Sequence, residues 1–515
     1  MFLSRRTNGL SGSFKKRSTA NGSGCRRRKP CIADFQARCP LVEALKSYAG
    51  RISAGFHTPG HFQGKAAPPV LRQWWGRAVF AADLTEVPGL DDLHAPSGVI
   101  RRAQELAAAL AGAKETFFLT NGSTAGVLAM FLAALGPGER VILPRAVHRS
   151  VVAALVLSGA APVFLPVRHL ADFGIPLPPP AAAYTAALAR YPDARALFAL
   201  YPDYYGVAVD LRAVATTAHS RGLPLLVDAA HGVLFGRHPA LPPGAIACGA
   251  DAAVESVHKR AGALTQAAWL HLGSGRLSPP RVQQALQFVM TSSPSYLLLA
   301  SLDAARRQLA LSGERLCRRL LSLAAEARRA LRRFEAVAVL AAAGEGYSLD
   351  PTRLVLNFGA AGLSGYEAAR LLRRHGVVAE MADFANVVLL LSPGHGKQEI
   401  KALTRAVEAV LAQHPVARAG RGAGGARLFF PAPPPLRLSP REAWLAPAES
   451  VPLEAAVGRV SAAVVAPAPP GIPVLVPGEE VTEEVANYLE KLKEKGVPVH
   501  GMEEGVDRPA LRVVG

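Results

Sequence analysis

The 515-residue sequence has few cysteines and no long uninterrupted apolar segment. Its five cysteines are an odd number in a long chain, which argues against a disulfide framework. The longest apolar run, residues 150–167, is broken by Gly159, Pro162 and Pro166 and does not predict a membrane span. No apolar stretch follows the basic N-terminal residues, so we predict no secretory signal. These absences lead us to expect a soluble cytoplasmic protein with no membrane partner.

The net charge of +19 is concentrated at the N-terminus. Residues 1–40 carry ten basic side chains and one acidic side chain, Asp34. Such a tail is able to contact RNA or an anionic membrane surface, but we favour a solvated extension and expect no nucleic-acid binding by the rest of the chain. Cys25, Cys31 and Cys39 have neither CxxC spacing nor histidine partners, so we predict ordinary thiols and no metal site.

Half of the residues are apolar, which permits a large core and excludes wholesale disorder. Short β-rich runs alternate with helical stretches to about residue 300, the pattern of an α/β domain with a mainly parallel sheet. Long Arg-, Leu- and Ala-rich helices then indicate a smaller α/β domain. The predicted division is a basic tail at 1–39, a large domain at 40–300, a small domain at 301–415, a Gly- and Pro-rich linker at 416–445 and a C-terminal α+β domain at 446–515.

Polar side chains follow five of the predicted strands of the large domain. Because ligands bind at the carboxyl ends of the strands in an open parallel sheet, we expect these loops to converge on one crevice. The residues are Asn121 to Thr124, His148, Asp203 and Tyr204, Asp228 and His231, and finally Ser256, His258 and Lys259.

Each of these residues has both a functional and a structural interpretation. Ser123 and Thr124 at a helix N-terminus form either a phosphate seat or an ordinary N-cap. Asp228 either holds a cationic ring nitrogen or caps a loop, and His148 either stacks on a ring or fills the core. Lys259 is either a surface charge or a desolvated amine that forms a Schiff base. Taken together they are the parts of a pyridoxal phosphate site.

The run from Val254 to Ala268 resembles the cofactor-attachment signature of the Orn/Lys/Arg decarboxylase family, with S-x-H-K at 256–259 and T-Q-A-A at 265–268. The resemblance covers residues 40–510. It is strongest to the shorter bacterial branch of the family, and in this the chain resembles a biosynthetic arginine decarboxylase. The other matching motifs lie, in chain order, at 56–61, 83–86, 90–94, 121–124, 148–150, 204–206, 228–232, 291–296, 469–473 and 477–479.

The resemblance implies a fold-type I, pyridoxal 5′-phosphate-dependent large domain in a homodimer or higher homo-oligomer with shared active sites. It also implies residue roles: Lys259 holds the cofactor, Asp228 pairs with the pyridine nitrogen, His148 stacks on the ring, Ser123, Thr124, Ser256 and His258 bind the phosphate, His231 lines the pocket, and Thr291 or Ser292 reaches the phosphate of the neighbouring subunit.

The implied reaction is decarboxylation of arginine, lysine or ornithine, which feeds polyamine synthesis. Asp228 would stabilise the charge that departing CO₂ leaves, and Lys259 or His258 would return a proton to Cα. The substrate's distal cation needs an acidic partner, and the candidates are Asp91, Asp92, Asp203 and Glu479.

Four positions depart from the family's usual residues: Phe62, Asp203, Ala229 and Ala468. Two other function classes therefore stay open. One is a different fold-type I reaction, such as that of an aminotransferase or another lyase. The other is a non-catalytic regulator that keeps the decarboxylase fold.

Overall fold

The computed structural model describes residues 35–414, 430–467, 471–504 and 509–515. Residues 1–34 of the predicted tail, 416–429 of the predicted linker and 468–470 of one motif lie outside the described residues. Within the described ranges, no helix is long and apolar enough to cross a membrane. The same ranges contain no group of three or more His, Cys, Asp or Glu side chains that could hold a metal ion.

The large domain is built on a sheet in the order β1-β10-β9-β8-β6-β2-β3. Its strands, with three short ones outside this sheet, are β1 (Glu115–Leu119), β2 (Arg140–Pro144), β3 (Ala161–Leu165), β4 (Arg168–Leu170), β5 (Ile175–Leu177), β6 (Ala196–Leu200), β7 (Val207–Val209), β8 (Leu225–Asp228), β9 (Ala252–Glu255) and β10 (Ala268–Leu272). From β9 to β3 all neighbours are parallel, whereas β10 is antiparallel to both β1 and β9. The predicted mainly parallel sheet is confirmed.

Because β10 is antiparallel to both of its neighbours, β1 is parallel to β9. It is therefore also parallel to β2, β6 and β8, the other strands that precede candidate residues. Strands β1, β2, β6, β8 and β9 therefore all end at the same edge of the sheet. The registers of the central strands align these ends, because Leu200 pairs with Asp228 and Asp228 with Val254. The loops after these strands consequently meet at one crevice.

Helices cover both faces of this sheet because its strands are buried and apolar. They are Pro40–Arg51, Pro69–Trp75, Arg77–Ala82, Val99–Ala111, Gly122–Ala134, Arg149–Ser158, Ala181–Arg190, Leu211–His219, Val257–Arg260 and Pro279–Val289.

The helix Gly122–Ala134 is apolar and lies close to the sheet. A Cβ atom added at Gly126 would lie 2.6 Å from Cγ2 of Val254 in β9 and 2.9 Å from Cδ1 of Leu119 in β1. Only a residue without a side chain fits there, so the helix contacts both strands directly.

The small domain begins with the 36-residue helix Tyr296–Leu331, so the boundary predicted at residue 300 falls inside this helix. Its sheet has the order β11-β13-β15-β14, and β12 pairs with β7 of the large domain. The elements are β11 (Ala338–Val339), β12 (Tyr347–Leu349), β13 (Arg353–Asn357), helix Gly365–Arg374, β14 (Met381–Ala382), β15 (Asn386–Leu390) and helix Lys397–Gln413.

The C-terminal domain is α+β. Its elements are helix Pro440–Leu445, β16 (Ala448–Pro452), helix Leu453–Ala456, β17 (Ala466–Pro467), helix Glu483–Glu494, β18 (Val499–His500), β19 (Met502–Glu504) and β20 (Pro509–Val514). The first helix lies within the predicted linker. Ser439 and Glu442 form a capping box that starts it, a local signal that outweighs the surrounding proline-rich composition.

A fully buried ion pair joins the C-terminal domain to the end of β2. Nη2 of Arg145 lies 2.8 Å from Oε2 of Glu479, and both side chains are 0% exposed. The guanidinium also donates to the carbonyl oxygens of Pro473 and Val474. Glu479 also accepts the N–H of Val476. The same carboxylate therefore stabilises the turn between Val476 and Glu479 and binds Arg145.

We predict that Glu479→Ala lowers the free energy of unfolding by about 3–5 kcal/mol, because it leaves the Arg145 cation buried without a counter-charge. Urea unfolding followed by circular dichroism measures this change. The control is Glu449→Ala, which removes the exposed partner of Arg459. We expect the control to cost less than about 1 kcal/mol. Equal losses in the two variants would contradict the role assigned to the buried pair.

Candidate active site

Lys259 lies in the single-turn helix Val257–Arg260, directly after β9. Its Nζ atom is 3.0 Å from Nε2 of His231, in the loop that follows β8. Burial lowers the pKa of Lys259; the charge of Asp228 partly opposes this shift and that of Arg353 adds to it. Lys259 is therefore a desolvated amine and not a surface charge.

Two serine hydroxyls from different loops meet at the start of the helix Gly122–Ala134. Oγ of Ser256 donates to Oγ of Ser123 at 2.9 Å. Thr124 lies in the same first turn and is exposed. The N–H groups of this turn and the positive end of the helix dipole add to the hydroxyls, so the arrangement suits a phosphate group.

Asp228 is buried at the end of β8, with 7% of its surface exposed. Its Oδ1 atom accepts the N–H of Ala230 at 2.9 Å. Among the residues that the structure describes, none forms an ion pair with this carboxylate, so its charge acts electrostatically on Lys259 and His148. A buried carboxylate without a cationic partner is suited to a cationic ligand.

His148 caps the helix Arg149–Ser158, since Nδ1 accepts the N–H of Ser150 at 3.2 Å. Burial lowers the pKa of His148, and the charge of Asp228 opposes this shift. The capping contact fixes the orientation of the imidazole ring and leaves Nε2 for a ligand.

The ring of His258 is held by Nδ1, which donates to the carbonyl oxygen of Ala267 at 3.1 Å. Because this contact uses Nδ1, Nε2 is the ring nitrogen that remains to exchange protons or to contact a ligand. Burial lowers the pKa of His258.

Thr291 and Ser292 are exposed in the loop before the helix Tyr296–Leu331. The N–H of Thr291 donates to Oδ1 of Asn121 of its own chain, and its carbonyl accepts from Nε2 of His94. A contact of either hydroxyl with the neighbouring subunit stays a prediction.

The carboxylate of Asp91 is used by the protein's own backbone. It accepts N–H groups at the start of the helix Val99–Ala111, including those of Gly98 and Ile100. Burial alone would raise the pKa of Asp91, but these donors outweigh it and lower the pKa. The neighbouring Asp92 is half-buried and accepts the N–H of His94.

Asp203 and Glu479 are both buried and have partners within their own chain, and a contact of either one with the substrate stays a prediction. Oδ1 of Asp203 accepts the N–H groups of Tyr205 and Val207 inside a turn, and burial raises its pKa to about 7. Glu479 is fully buried against Arg145. Both carboxylates are used in holding loops together.

Arg353 is the main residue that the sequence reasoning missed. It opens β13 of the small domain, is 2% exposed, and donates from Nη2 to Nδ1 of His231 at 3.0 Å. Its Nη1 atom donates to the carbonyl oxygen of Tyr204, whose ring packs edge-on against His231. Arg353 and His231 are 122 residues apart in the sequence, so no local pattern indicates their contact.

A second buried arginine holds the helix that carries Lys259. Arg260 forms a fully buried ion pair with Asp350 and also donates to Thr352. Asp350 and Thr352 directly precede Arg353, so one short segment of the small domain supports both Lys259 and His231.

Glu380 was also missed. It is exposed just before β14, and its charge acts on Lys259, His258 and Arg353. Its charge thus reaches the site from the small domain. A glutamate in an ordinary helix-to-strand connection gives no sequence signal of that placement.

Two of the positions that depart from the family pattern, Ala229 and Phe62, have defined surroundings in the structure. Ala229 is buried beside Asp228, with 1% of its surface exposed. Phe62 lies under the Nζ atom of Lys65, which is 4.5 Å from the centre of the ring. Ala468 lies outside the described residues.

Comparison with known families gives two matches that together span most of the chain. Residues 39–344 match the model of the Orn/Lys/Arg decarboxylase major domain. Residues 427–507 match the model of the Orn/Lys/Arg decarboxylase C-terminal domain.

The chain is 38% identical to an arginine decarboxylase of Bacillus subtilis over 474 residues, which cover 91% of this chain and 96% of the relative. It is also 38% identical to an arginine decarboxylase of Halalkalibacterium halodurans, over 93% of this chain and 98% of the relative. Its fold is similar to the structure of the constitutive lysine decarboxylase of Escherichia coli, with a TM-score of 0.79 and 22% identity over 93% of this chain and 82% of that chain.

We predict that stability falls as the pH drops from 7.5 to 5.5, in part because of His231. Burial and the charges of Lys259 and Arg353 hold the pKa of His231 well below its ordinary value. The unfolded chain binds a proton there near pH 6.5 and the folded chain does not, so acid favours unfolding.

His231→Gln should therefore reduce the loss of unfolding free energy over this interval by about 1.4 kcal/mol. Urea unfolding at both pH values measures the difference. His500→Gln, at an exposed histidine, is the control and should leave the loss as in the unmodified protein. An unchanged loss in His231→Gln would contradict the neutral, buried state of this ring.

Proposed function

This chain belongs to the Orn/Lys/Arg decarboxylase family, and we propose that it removes the α-carboxylate of arginine with pyridoxal 5′-phosphate as its cofactor. The family supports a basic amino acid as the substrate. The choice of arginine within that class rests on the relatives named arginine decarboxylase at 38% identity.

One observation carries the proposal: the buried amine of Lys259 and the buried carboxylate of Asp228 lie at the same edge of the sheet as the hydroxyls of Ser123 and Ser256. This set joins an amine that is easily kept uncharged, an unpaired anion and a phosphate seat. An ordinary structural cluster would pair the lysine with the aspartate in a direct ion pair, which is not observed between these two described residues.

The residues fit pyridoxal phosphate by the chemistry of their donors and acceptors. The first turn of Gly122–Ala134, with Ser123, Thr124 and Ser256, would hold the phosphate. Asp228 would face the ring nitrogen, and the buried carboxylate without a counter-charge supports this role. His148 would contact the ring and Lys259 would hold the aldehyde carbon. When bound, the cofactor supplies an electron sink for the pair left at Cα as CO₂ departs.

The protein's own groups control charge and protons during this reaction. Asp228 would favour a proton on the ring nitrogen, because a buried carboxylate stabilises a cationic group beside it. Lys259 at Nζ, and His258 at Nε2 when its ring carries a second proton, are the two positions from which a proton would return to Cα. The half-buried site limits water around these groups, which strengthens their electrostatic effect.

We propose that Glu380 receives the guanidinium at the far end of the substrate. Asp91, Asp203 and Glu479 each accept hydrogen bonds from backbone N–H groups or from Arg145, and the last two side chains are buried. Glu380 is exposed, and its charge acts on Lys259. Asp92 is the other candidate with a free surface, and it lies beside His94.

We also propose a homodimer with shared sites, in which Thr291 or Ser292 of one subunit contacts the cofactor phosphate of the other. The exposure of both side chains in the single chain supports this arrangement. The product, agmatine, would enter polyamine synthesis in the cytoplasm.

The first test is to supply the purified protein and added pyridoxal phosphate with arginine, lysine or ornithine and to measure CO₂ and amine release. We expect release from arginine, at a rate at least about a hundredfold higher than from the other two. Lys259→Ala should lose this activity almost completely, because it removes the amine that would attach the cofactor.

Three results would count against the proposal. Formation of a keto acid instead of CO₂ would indicate an aminotransferase. Binding of the cofactor without release from any substrate would indicate a non-catalytic protein. Release from lysine or ornithine alone would keep the reaction class and overturn the choice of arginine.

A separate prediction concerns Glu380. Glu380→Gln should raise the KM for arginine about tenfold or more and change kcat less, because the substrate's guanidinium loses its counter-charge. The matched control is Glu345→Gln, at an exposed glutamate of the same domain. An unchanged KM in Glu380→Gln, with a raised KM in Asp92→Asn, would move the role to Asp92.

A further inference from the structure

Arg353, His231 and Lys259 form a continuous chain of hydrogen bonds inside the protein. Nη2 of Arg353 lies 3.0 Å from Nδ1 of His231. The opposite ring nitrogen, Nε2, lies 3.0 Å from Nζ of Lys259. The arginine comes from the small domain, whereas the histidine and the lysine come from neighbouring strand ends of the large domain.

The donor and acceptor rules allow only one arrangement of protons in this chain. A guanidinium has N–H donors and no acceptor, so Nδ1 of His231 must accept and carries no proton. A neutral imidazole then carries its proton on Nε2, which must donate to Lys259. The Nζ atom of Lys259 therefore has to offer a lone pair, and only the uncharged amine has one.

We propose that Arg353 is a positioning residue that fixes the tautomer of His231 and thereby holds Lys259 as the free amine, the form that attaches to an aldehyde. The inference deepens the proposed function, because the attachment role of Lys259 belongs to that function. It assigns to Arg353 a role that acts through His231, without contact with the substrate.

The surrounding charges are consistent with this arrangement. Burial lowers the pKa of Arg353 to about 10, so the guanidinium is still protonated at pH 8 and still donates. Around His231, burial and then the cations Arg353 and Arg260, together with His148, oppose a second proton on the ring, and a charged Lys259 would oppose it further.

Lys259 is subject to opposing charges. Burial and Arg353 favour the free amine, whereas the carboxylates of Asp228 and Glu380 favour the ammonium. The hydrogen bond from His231 adds a geometric requirement to this balance, because an ammonium group at the same place would point a proton at the N–H of Nε2.

The test measures the reactivity of Lys259 towards acetic anhydride from pH 6 to pH 11, in the full-length protein freed of pyridoxal phosphate. Peptide mass spectrometry quantifies acetylation at Lys259 relative to Lys493, an exposed lysine that serves as the internal reference. Because only the free amine reacts, we expect Lys259 to react at lower pH than Lys493. No substrate is present, so this result does not depend on whether the protein decarboxylates arginine.

The variants separate tautomer control from charge and from folding. Arg353→Met should lower the relative labelling of Lys259 at pH 8 about tenfold. Arg353→Gln loses the charge but keeps an N–H donor for Nδ1, and should recover part of that loss. Arg319→Met removes another arginine of the small domain, one that donates to the carbonyl oxygens of Pro393 and His395, and should leave the profile unchanged. Circular dichroism confirms that each variant is folded.

Three outcomes would overturn the proposal. The first is labelling of Lys259 in the unmodified protein at the pH at which Lys493 is labelled. The second is a folded Arg353→Met variant with an unchanged profile. The third is an Arg353→Gln variant as unreactive as Arg353→Met, since charge alone would then explain the effect.

Discussion

The site depends on the free energy that is needed to bury the charged form of the Lys259 amine. An ammonium group loses its hydration when it is buried, so burial favours the uncharged amine of Lys259. The buried Asp228 lies close enough to oppose this effect, and no ion pair between the two is present in the described part of the chain. The separation leaves the aspartate available for a cationic ring and the lysine available for an aldehyde.

The small domain takes a direct part in this balance. Asp350, Thr352 and Arg353 lie at the start of β13, where they contact Arg260 and His231. Under the role proposed for Arg353, the charge state of Lys259 depends on the packing of one domain on the other. A shift of β13 relative to the large sheet would loosen the support of the lysine helix and that of the histidine together.

The sequence was sufficient to predict the parts of the site that follow from strand direction. Asp228, Ser256 and Lys259 each stand just after an apolar run, and parallel strands bring such positions together. It was not sufficient for partners chosen over long separations. Asp203 and Glu479 look like free loop carboxylates in the sequence, yet backbone N–H groups and Arg145 occupy them.

Gly126 has a consequence for the two serine hydroxyls at the start of its helix. The glycine sets the spacing between the helix that begins at the phosphate seat and the strand that leads to Lys259. A methyl group there would push the helix away from Val254 and widen the gap between the two ends of the site. The absence of a single side chain in the core therefore allows Ser256 and Ser123, at the ends of this strand and this helix, to come within 2.9 Å of each other.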